Sequence, residues 1–341
     1  MHFELKILRR EDGDLWDCSL SEFKYIPLPL TKRYLLLHEE YGDGIAEAFI
    51  IENERNKIYY PYLIRKIYDS NYYDITTPYG YGGPIFEIKD SKFIELFFKI
   101  MNNYFKKKNI ISEFIRFTPH MANQTIYLTK NQGASLNSKN IIINLDKDIA
   151  NINKKIRRSY LYNINKIFEH KKITFVIGSL TKYKHDFFNL YRKNMELKKV
   201  DGYLNFGIEY VDLLSKYLHS DIECGIVKDE FNEIISSALY LKSGNYFIDY
   251  FLAASSYEHK NKMGNHFLIY NMILWAKEHN YKKMQLGGGH ESLYFFKNGF
   301  SKETDEYFTG KIIHNIKLYN NLQKKYNPLP LNNFFPSYRG M

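Results

Sequence analysis

Stretches rich in β-branched and aromatic residues occur in pairs, one pair in each half of the chain. In the C-terminal half they cover residues 234–242 and 245–254, with a Ser-Gly pair between them. In the N-terminal half they cover residues 45–51 and 57–66, on either side of a short polar turn. Each pair predicts a β-hairpin whose two strands are antiparallel neighbours.

Helical periodicity follows each hairpin. Leu268, Met272, Trp275 and Ala276 fall on one face of residues 265–280, which predicts a helix with a buried face. The remaining elements are predicted in chain order as a helix at residues 91–107, strands at 113–117, near 125–128 and at 140–145, a strand at 283–286, a helix at 291–298 and a strand at 306–309. Hairpin, helix and strand therefore recur in the same order in both halves.

The segment between the halves predicts one long basic helix at residues 146–169. Asp146 and Asp148 stand where acidic residues favour a helix start. We therefore expect an α/β fold with mixed sheets and two tandem domains, at residues 1–148 and 149–315. A tail at residues 316–341 is expected to pack back on the first domain.

Composition sets the class of protein. The 341 residues are 45% hydrophobic and 17% aromatic, which suffices for a large core and roughly two domains. Cys18 and Cys224 are too few for a disulfide framework and form no metal-ligand cluster. Charges interrupt the N-terminus where a signal peptide needs an apolar stretch, and no segment reaches the ~20 apolar residues of a spanning helix. We expect a soluble, cytoplasmic protein without a bound metal.

A formal net charge of +10 favours anionic partners: nucleic acid, phosphorylated ligands or the inner surface of a membrane. A solvated, lysine-rich surface explains the total charge equally well. The sequence contains no GxxxxGK[ST], HExxH, GxSxG or GxGxxG signature, which argues against nucleotide hydrolysis, zinc proteolysis, esterase chemistry and hydride transfer.

The start of the helix predicted at residues 265–280 is a candidate site for donor phosphates. A helix N-terminus presents unpaired N–H groups and partial positive charge to an anion. Gly264 and Asn265 lie at this start, and Lys262 precedes it. An ordinary loop-to-helix junction has the same sequence features.

Three consecutive glycines, Gly287, Gly288 and Gly289, follow the strand predicted at residues 283–286. They permit either close backbone approach to a donor or a turn with unusual φ values. Asp249 lies in an otherwise aromatic strand, so it is a candidate base with a raised pKa, or the partner of a lysine.

The first domain offers a second set of candidates. Tyr79 and Tyr81 lie in the glycine-rich residues 76–84, which form either a polar ligand groove or an ordinary loop. Arg116 is suited to a bidentate contact with phosphate or carboxylate, or to a salt bridge at a domain interface.

The predicted basic helix also carries candidates. Arg158, Tyr162 and Lys166 fall at i, i+4 and i+8 on one face. That face can grip phosphates, and a solvated charged surface is the competing interpretation.

Several stretches resemble the Fem-type aminoacyltransferases and their relatives with the GNAT acetyltransferase core. They are, in chain order, TTPYGYGGP (76–84), IRFTP (115–119), KKIRRSYLYNINK (154–166), QLGGG (285–289), LYFFKNGF (293–300) and FFPSYRG (334–340). The resemblance covers nearly the whole chain and implies two tandem GNAT-like domains. It places Lys297 at the acyl-transfer site, with Phe296 shaping the acyl pocket, and places Arg158 and Tyr162 beside the acceptor or the acceptor end of a tRNA.

What the resemblance implies chemically is transfer of an acyl group from an activated donor to an amine. The donor is acyl-CoA or aminoacyl-tRNA as a co-substrate, with no tightly bound cofactor. The acceptor is a nucleotide- or lipid-linked envelope precursor, either an amino sugar or a peptidoglycan stem peptide. Peripheral contact with the inner membrane fits this role, and DNA is not implied. The competing class is a non-catalytic RNA- or membrane-surface-binding protein on the same scaffold.

Overall fold

The computed structural model describes residues 2–130, 132–170, 172–199, 205–329 and 334–340. It divides into two compact units. Unit 1 comprises Met1–Ser138 and Glu306–Met341, and unit 2 comprises Lys139–Asp305. In the described part of the chain, no helix combines the length and hydrophobicity that crossing a bilayer requires.

Strands make up much of both units. They are β1 (Glu4–Arg9), β2 (Ile45–Glu52), β3 (Lys57–Lys66), β4 (Tyr73–Thr76), β5 (Ile85–Glu87), β6 (Ile110–Arg116), β7 (Ala134–Asn144), β8 (Thr174–Ser179), β9 (Ile222–Lys228), β10 (Ile234–Ser243), β11 (Phe247–Ser255), β12 (Lys283–Gly287) and β13 (Glu303–Ile313). The helices are α1 (Asp14–Ser21), α2 (Lys32–Tyr41), α3 (Ser91–Lys107), α4 (Gln124–Thr129), α5 (Ile149–Lys155), α6 (Arg158–His170), α7 (Leu180–Leu197), α8 (Ile208–Leu218), α9 (Gly264–Glu278), α10 (Glu291–Lys297) and α11 (Ile316–Tyr326).

The two units share one topology. In unit 1 the strand order is β1-β2-β3-β4-β6-β13, with β4 and β6 parallel. In unit 2 it is β8-β9-β10-β11-β12-β7, with β11 and β12 parallel. The other neighbours for which pairing is described are antiparallel. Each unit thus repeats strand, two helices, three antiparallel strands, helix and parallel strand, which confirms the recurring order of elements.

Two helices occupy corresponding positions in the repeat and pack through apolar faces. α3 begins after Asp90, whose carboxylate accepts from the Lys92 N–H, and it buries Phe93, Phe97 and Phe105 in the core of unit 1. α9 buries a broader set in the core of unit 2, including Leu268 and Met272. The buried face of α9 is the one that the apolar periodicity of the sequence predicted.

The predicted hairpins are confirmed, since β2 pairs with β3 and β10 with β11 in antiparallel register. The strand predicted near residues 125–128 is wrong, because this stretch forms α4. Tyr127, 1% exposed, packs its ring against Phe98 and Phe117 from that helix. A run this short does not show whether its apolar residues repeat with the period of a strand or with that of a helix.

The single basic helix predicted at residues 146–169 is also wrong, because it is two helices, α5 and α6. Asp148 caps α5, its carboxylate accepting from the Asn151 N–H. The chain then becomes extended at Ile156, which is buried in the core. The Arg157 N–H donates to the Gly299 carbonyl at 2.7 Å, so a tertiary hydrogen bond replaces a helical one.

The compact units divide at Ser138 rather than near residue 148, because residues 141–144 of β7 pair with β12. The second division falls between Asp305 and Glu306, within β13. The described residues 316–329 and 334–340 belong to unit 1, where Tyr338 donates to Asp74 and the Arg339 guanidinium pairs with the same carboxylate.

Candidate functional site

The parallel strands β11 and β12 of unit 2 stay together for only three residue pairs. Phe247, Ile248 and Asp249 pair with residues 283–285, and β11 continues to Ser255 beyond the last pair. The register between β10 and β11 shifts beside Tyr250, and that between β12 and β7 shifts after Gln285. Such bulges bend strands and re-aim side chains, and the parallel pairing ends at Asp249. We refer to the place where the two strands part as the groove.

Asp249 lies at the point of divergence. It is 7% exposed, and its carboxylate accepts one hydrogen bond from the Gln285 amide at 2.6 Å. The Gln285 carbonyl oxygen in turn accepts from Asn140 at 3.3 Å. Burial raises the pKa of Asp249 to about 7, and the Gln285 hydrogen bond opposes that rise. The group therefore changes protonation state near neutral pH.

Lys297 ends α10 with a buried ammonium group, the residue being 8% exposed. Nζ donates to the Gly288 carbonyl oxygen at 2.7 Å and lies 5.9 Å from the Tyr250 ring centroid. Among the residues that the structure describes, no carboxylate forms an ion pair with it. Burial lowers the pKa of Lys297 to about 8. A desolvated cation of this kind can face a developing negative charge or transfer a proton.

The start of α9 is joined to the groove by a side-chain hydrogen bond. The Tyr250 hydroxyl donates to the Asn265 side-chain oxygen at 3.0 Å. Gly264 is buried, and a Cβ there would lie 3.1 Å from Ile235 and 3.2 Å from Ser236. The glycine therefore lets α9 approach β10 closely, and this packing accounts for the residue whether or not a donor binds there.

Lys262 differs from Lys297 in its electrostatic surroundings. Its ammonium lies 2.7 Å from Asp229 and 3.2 Å from Glu230, which neutralise it. These carboxylates, chiefly Asp229, raise the pKa of Lys262. The positive charge predicted for a donor phosphate is therefore already paired.

The three consecutive glycines at the end of β12 and just after it serve the turn into α10. Gly287 and Gly289 have φ values of +74° and +130°, so the predicted unusual backbone conformation is confirmed. A Cβ at Gly289 would lie 2.7 Å from the Leu293 side chain. Gly288 contributes the carbonyl that holds Lys297.

Phe296 belongs to an aromatic cluster next to Lys297. Its ring centroid lies 5.0 Å from His266 and 6.1 Å from Tyr160. The Arg157 guanidinium packs 4.1 Å from the Phe295 ring centroid and 4.8 Å from that of Tyr160. Burial, reinforced by the Arg157 charge, lowers the pKa of His266 to about 4.

Arg157, rather than its neighbour Arg158, is the arginine that lies against this cluster. Arg158 and Tyr162 are exposed on α6, with Tyr162 packed 4.5 Å from the Lys166 ammonium. The helix break at Ile156 sets these positions, and spacing along one continuous helix could not predict it. Gln285 was also missed, although a polar residue in the apolar run KMQL repeats the signal that singled out Asp249.

In unit 1 the structure brings Tyr79, Tyr81 and Arg116 into one neighbourhood. Arg116 packs 4.7 Å from the Phe114 ring centroid and donates to the Thr77 carbonyl at 3.4 Å. Burial raises the pKa of Tyr79, and the Arg116 charge opposes the rise. Tyr307, which the sequence did not single out, lies 5.5 Å from Tyr81 between ring centroids. Burial raises the pKa of Tyr307 to about 12, and the Arg116 charge again opposes the rise.

One group of potential metal ligands occurs among the described residues: Asp229, Glu233 and His259, whose ligand atoms lie within 4.8 Å of one another. Lys262 already binds the Asp229 carboxylate. The cluster is thus an ion-pair network with its own cation.

The chain has the fold of several solved structures. It aligns with the crystal structure of FemX at a TM-score of 0.71 and 15% identity, over 93% of this chain and 99% of that one. It aligns with L-PGS from Bacillus licheniformis at 0.55 and 15% identity, over 91% and 94% of the two chains. A tandem GNAT protein from the clavulanic acid biosynthesis pathway aligns at 0.50 and 7% identity, over 91% and 98%.

No protein-family model matches the sequence, and no curated protein matches it. At these identities the likeness establishes the fold, and it confirms the expected mixed α/β architecture with tandem acetyltransferase-like units.

Proposed function

We propose that this chain, which shares its fold with FemX, is an N-acyltransferase that acylates an amine of a cell-envelope precursor. One observation carries the proposal. Lys297, the residue that the resemblance places at the acyl-transfer centre, is a buried ammonium without a carboxylate partner among the described residues, at the groove where β11 and β12 diverge. A scaffold lysine in such a position would cost stability without compensation.

The reaction assigns a role to each group at the groove. Asp249, as a carboxylate, accepts a proton from the acceptor ammonium, and the freed nitrogen attacks the carbonyl carbon of the acyl donor. The C–N bond forms and the carbonyl electron pair moves to oxygen, whose negative charge the Lys297 ammonium stabilises. Collapse restores the carbonyl and breaks the bond to the donor oxygen or sulfur, and the leaving group takes the proton from Asp249. The nitrogen, which still carries one excess proton after the attack, releases it to solvent, so that a neutral amide results. Phe296 packs beside Lys297 and bounds the acyl pocket.

Charges near the start of α9 favour aminoacyl-tRNA over acyl-CoA as the donor. A pyrophosphate at this helix start would approach Asp229 and Glu230, which hold Lys262. Carboxylates there oppose the anion attraction that the helix start otherwise provides. The net charge of +10 suits a polyanionic RNA donor.

The acceptor site is proposed in unit 1, at Tyr79, Tyr81 and Arg116. The Arg116 guanidinium offers donors to a phosphate or carboxylate, and the tyrosines offer rings and hydroxyls to a sugar or peptide. An acidic precursor that presents a free amine has this combination of groups.

Mass spectrometry tests the reaction. The protein is incubated with charged tRNA or acetyl-CoA, together with UDP-linked amino sugars or peptidoglycan precursors, and the product is examined for the added acyl mass. We expect a gain with the wild type and none with Lys297→Met, whereas Lys302→Met, at an exposed lysine nearby, retains activity. If no donor gives a mass gain and RNA binds in a salt-sensitive way, the protein is the non-catalytic binding module instead.

A further inference from the structure

Three neighbouring strands of unit 2, β7, β12 and β11, each carry a polar residue beside a residue of the apolar core that contains α9. The core residues are Ile141, Met284 and Ile248. Their polar neighbours are Asn140, Gln285 and Asp249, all of them buried. Because successive side chains of a strand point to opposite faces, the three polar groups lie together on the face away from α9.

Hydrogen bonds join these three side chains in one direction. Asn140 Nδ2 donates to Gln285 Oε1 at 3.3 Å, and Gln285 Nε2 donates to the Asp249 carboxylate at 2.6 Å. An amide has one donating and one accepting end, so the bond from Asn140 engages the Gln285 carbonyl and leaves the NH2 group for Asp249. An ionised carboxylate only accepts hydrogen bonds, so it requires the amide in this orientation.

Among the described residues, Asp249 has no charged partner on the elements around it. Leu241 lies opposite it on β10. The titratable side chains that α7 and α8 bury are Tyr191 and Tyr210, and α10 contributes Lys297. None of these groups changes the pKa of Asp249, which burial raises and the amide hydrogen bond lowers. The orientation of that amide therefore decides how far the ionised acid is favoured.

Unit 1 contains a buried acid at the corresponding place. Asp74 pairs with Ser112 across the parallel strands β4 and β6, as Asp249 pairs with its amide partner across β11 and β12. The guanidinium groups of Arg65 and Arg339 both bind the Asp74 carboxylate. Two permanent cations compensate the charge of Asp74. A neutral amide alone serves Asp249, which leaves that acid able to take up a proton.

We propose that Asn140 is a positioning residue for the catalytic base, because it holds the Gln285 amide with its NH2 group towards Asp249. Without Asn140 the amide can rotate and present its carbonyl oxygen, which accepts a hydrogen bond from the protonated acid and disfavours the carboxylate. Asn140 thereby keeps Asp249 ready to take a proton from the acceptor ammonium near neutral pH. This inference rests on the proposed acyl transfer, in which Asp249 is the base.

The pH profile of kcat/KM tests this role. Asn140→Leu removes the donor without adding a charge, and Gln285→Met removes both ends of the amide. We expect the acidic limb to move to higher pH, by about one unit in Gln285→Met, equivalent to one hydrogen bond to a charged group, and by less in Asn140→Leu. The basic limb, set by Lys297, should stay in place. Asn144→Leu makes the same change further along β7, where the side chain accepts from the Asp146 N–H, and should leave both limbs in place.

A double variant separates positioning from loss of packing. Because Asn140 acts through Gln285, the acidic limb of Asn140→Leu/Gln285→Met should coincide with that of Gln285→Met alone. A further upward shift in the double variant overturns the proposal, as does an unshifted acidic limb in Asn140→Leu. If Asn140→Leu does not fold, Asn140→Ser, which shortens the donor, takes its place in both comparisons.

Direct titration of the acid distinguishes failure of this inference from failure of the proposed function. The aspartate carboxyl groups are labelled with carbon-13, the Asp249 signal is assigned by its loss in Asp249→Asn, and the signal is followed by NMR against pH without substrates. A midpoint that rises in Asn140→Leu but not in Asn144→Leu supports the positioning role even if acyl transfer is never detected. A midpoint that stays in place overturns the role, and transfer with an unshifted acidic limb overturns it while keeping the enzyme.

Discussion

The two units repeat one topology, but they differ at the place where the parallel strand joins the sheet. In unit 2, β11 and β12 part after Asp249. In unit 1, the chain after β4 stays hydrogen-bonded to β6 and its extension: Thr77 N–H donates to the Phe114 carbonyl, and Gly82 N–H donates to the Arg116 carbonyl. The parallel pairing therefore ends early in unit 2, while backbone hydrogen bonds continue it beyond the strand in unit 1.

The two units also differ in how their buried charged groups are paired. In unit 1, Glu47, Glu113 and Asp74 are at most 1% exposed, and each has several polar partners. Those partners are Arg9, Tyr62 and Tyr104 for Glu47, Tyr60 and His314 for Glu113, and Arg65, Tyr338 and Arg339 for Asp74. In unit 2, Asp229 is likewise paired, with Lys262, whereas Asp249 has one amide partner and Lys297 one carbonyl. Compensated charges hold a scaffold together, whereas under-compensated ones remain available for chemistry.

The largest effect expected from this comparison is structural. Asp74→Ala removes a buried carboxylate that pairs with two guanidinium groups, Arg65 at 2.7 Å and Arg339 at 2.6 Å. We expect the free energy of unfolding to fall by about 3–5 kcal/mol, because the arginines lose their counter-charge. Urea denaturation of the wild type and the variant measures this loss. A loss well below this range would mean that the buried acids of unit 1 are not structural.

The next effect is catalytic. Lys297→Met keeps the length of the side chain and removes the ammonium, so we expect kcat to fall by about 10²–10³, as on removal of one oxyanion donor. Thermal unfolding should show an intact fold, since the substitution removes a buried charge. Single-turnover transfer measures the effect, and turnover near that of the wild type would remove Lys297 from the mechanism.

The effect of pH on kcat/KM is expected to be smaller than that of Lys297→Met. The rate constant should change by about tenfold per pH unit on each side of a maximum. Asp249 acts when deprotonated, so activity rises through its pKa of about 7. Lys297 acts when protonated, so activity falls above its pKa of about 8. The profile of kcat/KM should therefore peak between these values. Asp249→Asn should abolish the acidic limb alone, and an acidic limb that persists in this variant would exclude Asp249 as the base.

Burial of Asp249 also predicts the sign of a stability change. Its folded pKa is raised above the value of the unfolded chain, so folding favours the protonated acid. Its contribution to stability is present below the unfolded pKa, near 4, and declines as the pH rises to about 7. Relative to the wild type, Asp249→Asn should thus gain stability between pH 4 and pH 8. The denaturation midpoints of both proteins at pH 4 and pH 8 measure this gain. A difference between variant and wild type that is the same at both pH values would contradict the burial of the Asp249 acid.

The smallest effect is expected at Lys262. Because Asp229 and Glu230 already neutralise its ammonium, Lys262→Met should change the KM for the donor by less than about twofold. Steady-state titration of the donor measures it. A tenfold rise in KM would show that Lys262 leaves its carboxylates to bind a donor phosphate.

Much of the architecture follows from local sequence. The period of α9 and the β-branched runs of the hairpins each predict an element that the structure contains. Gly287 and Gly289 adopt the unusual φ values that their sequence suggested. These features depend on residues within a few positions of one another, which is why the sequence alone determines them.

The site depended on contacts between distant residues. The Gly299 carbonyl binds the Arg157 N–H and interrupts the basic helix, which exposes Arg158 and sets Arg157 against Phe295. The Gln285 side chain reaches Asp249 from another strand, and two carboxylates neutralise Lys262. The sequence determined which residues carry the polar and charged groups. Only the tertiary structure decided which of them are paired and which are buried with their charge uncompensated, because desolvation and ion pairing depend on residues far apart in the chain.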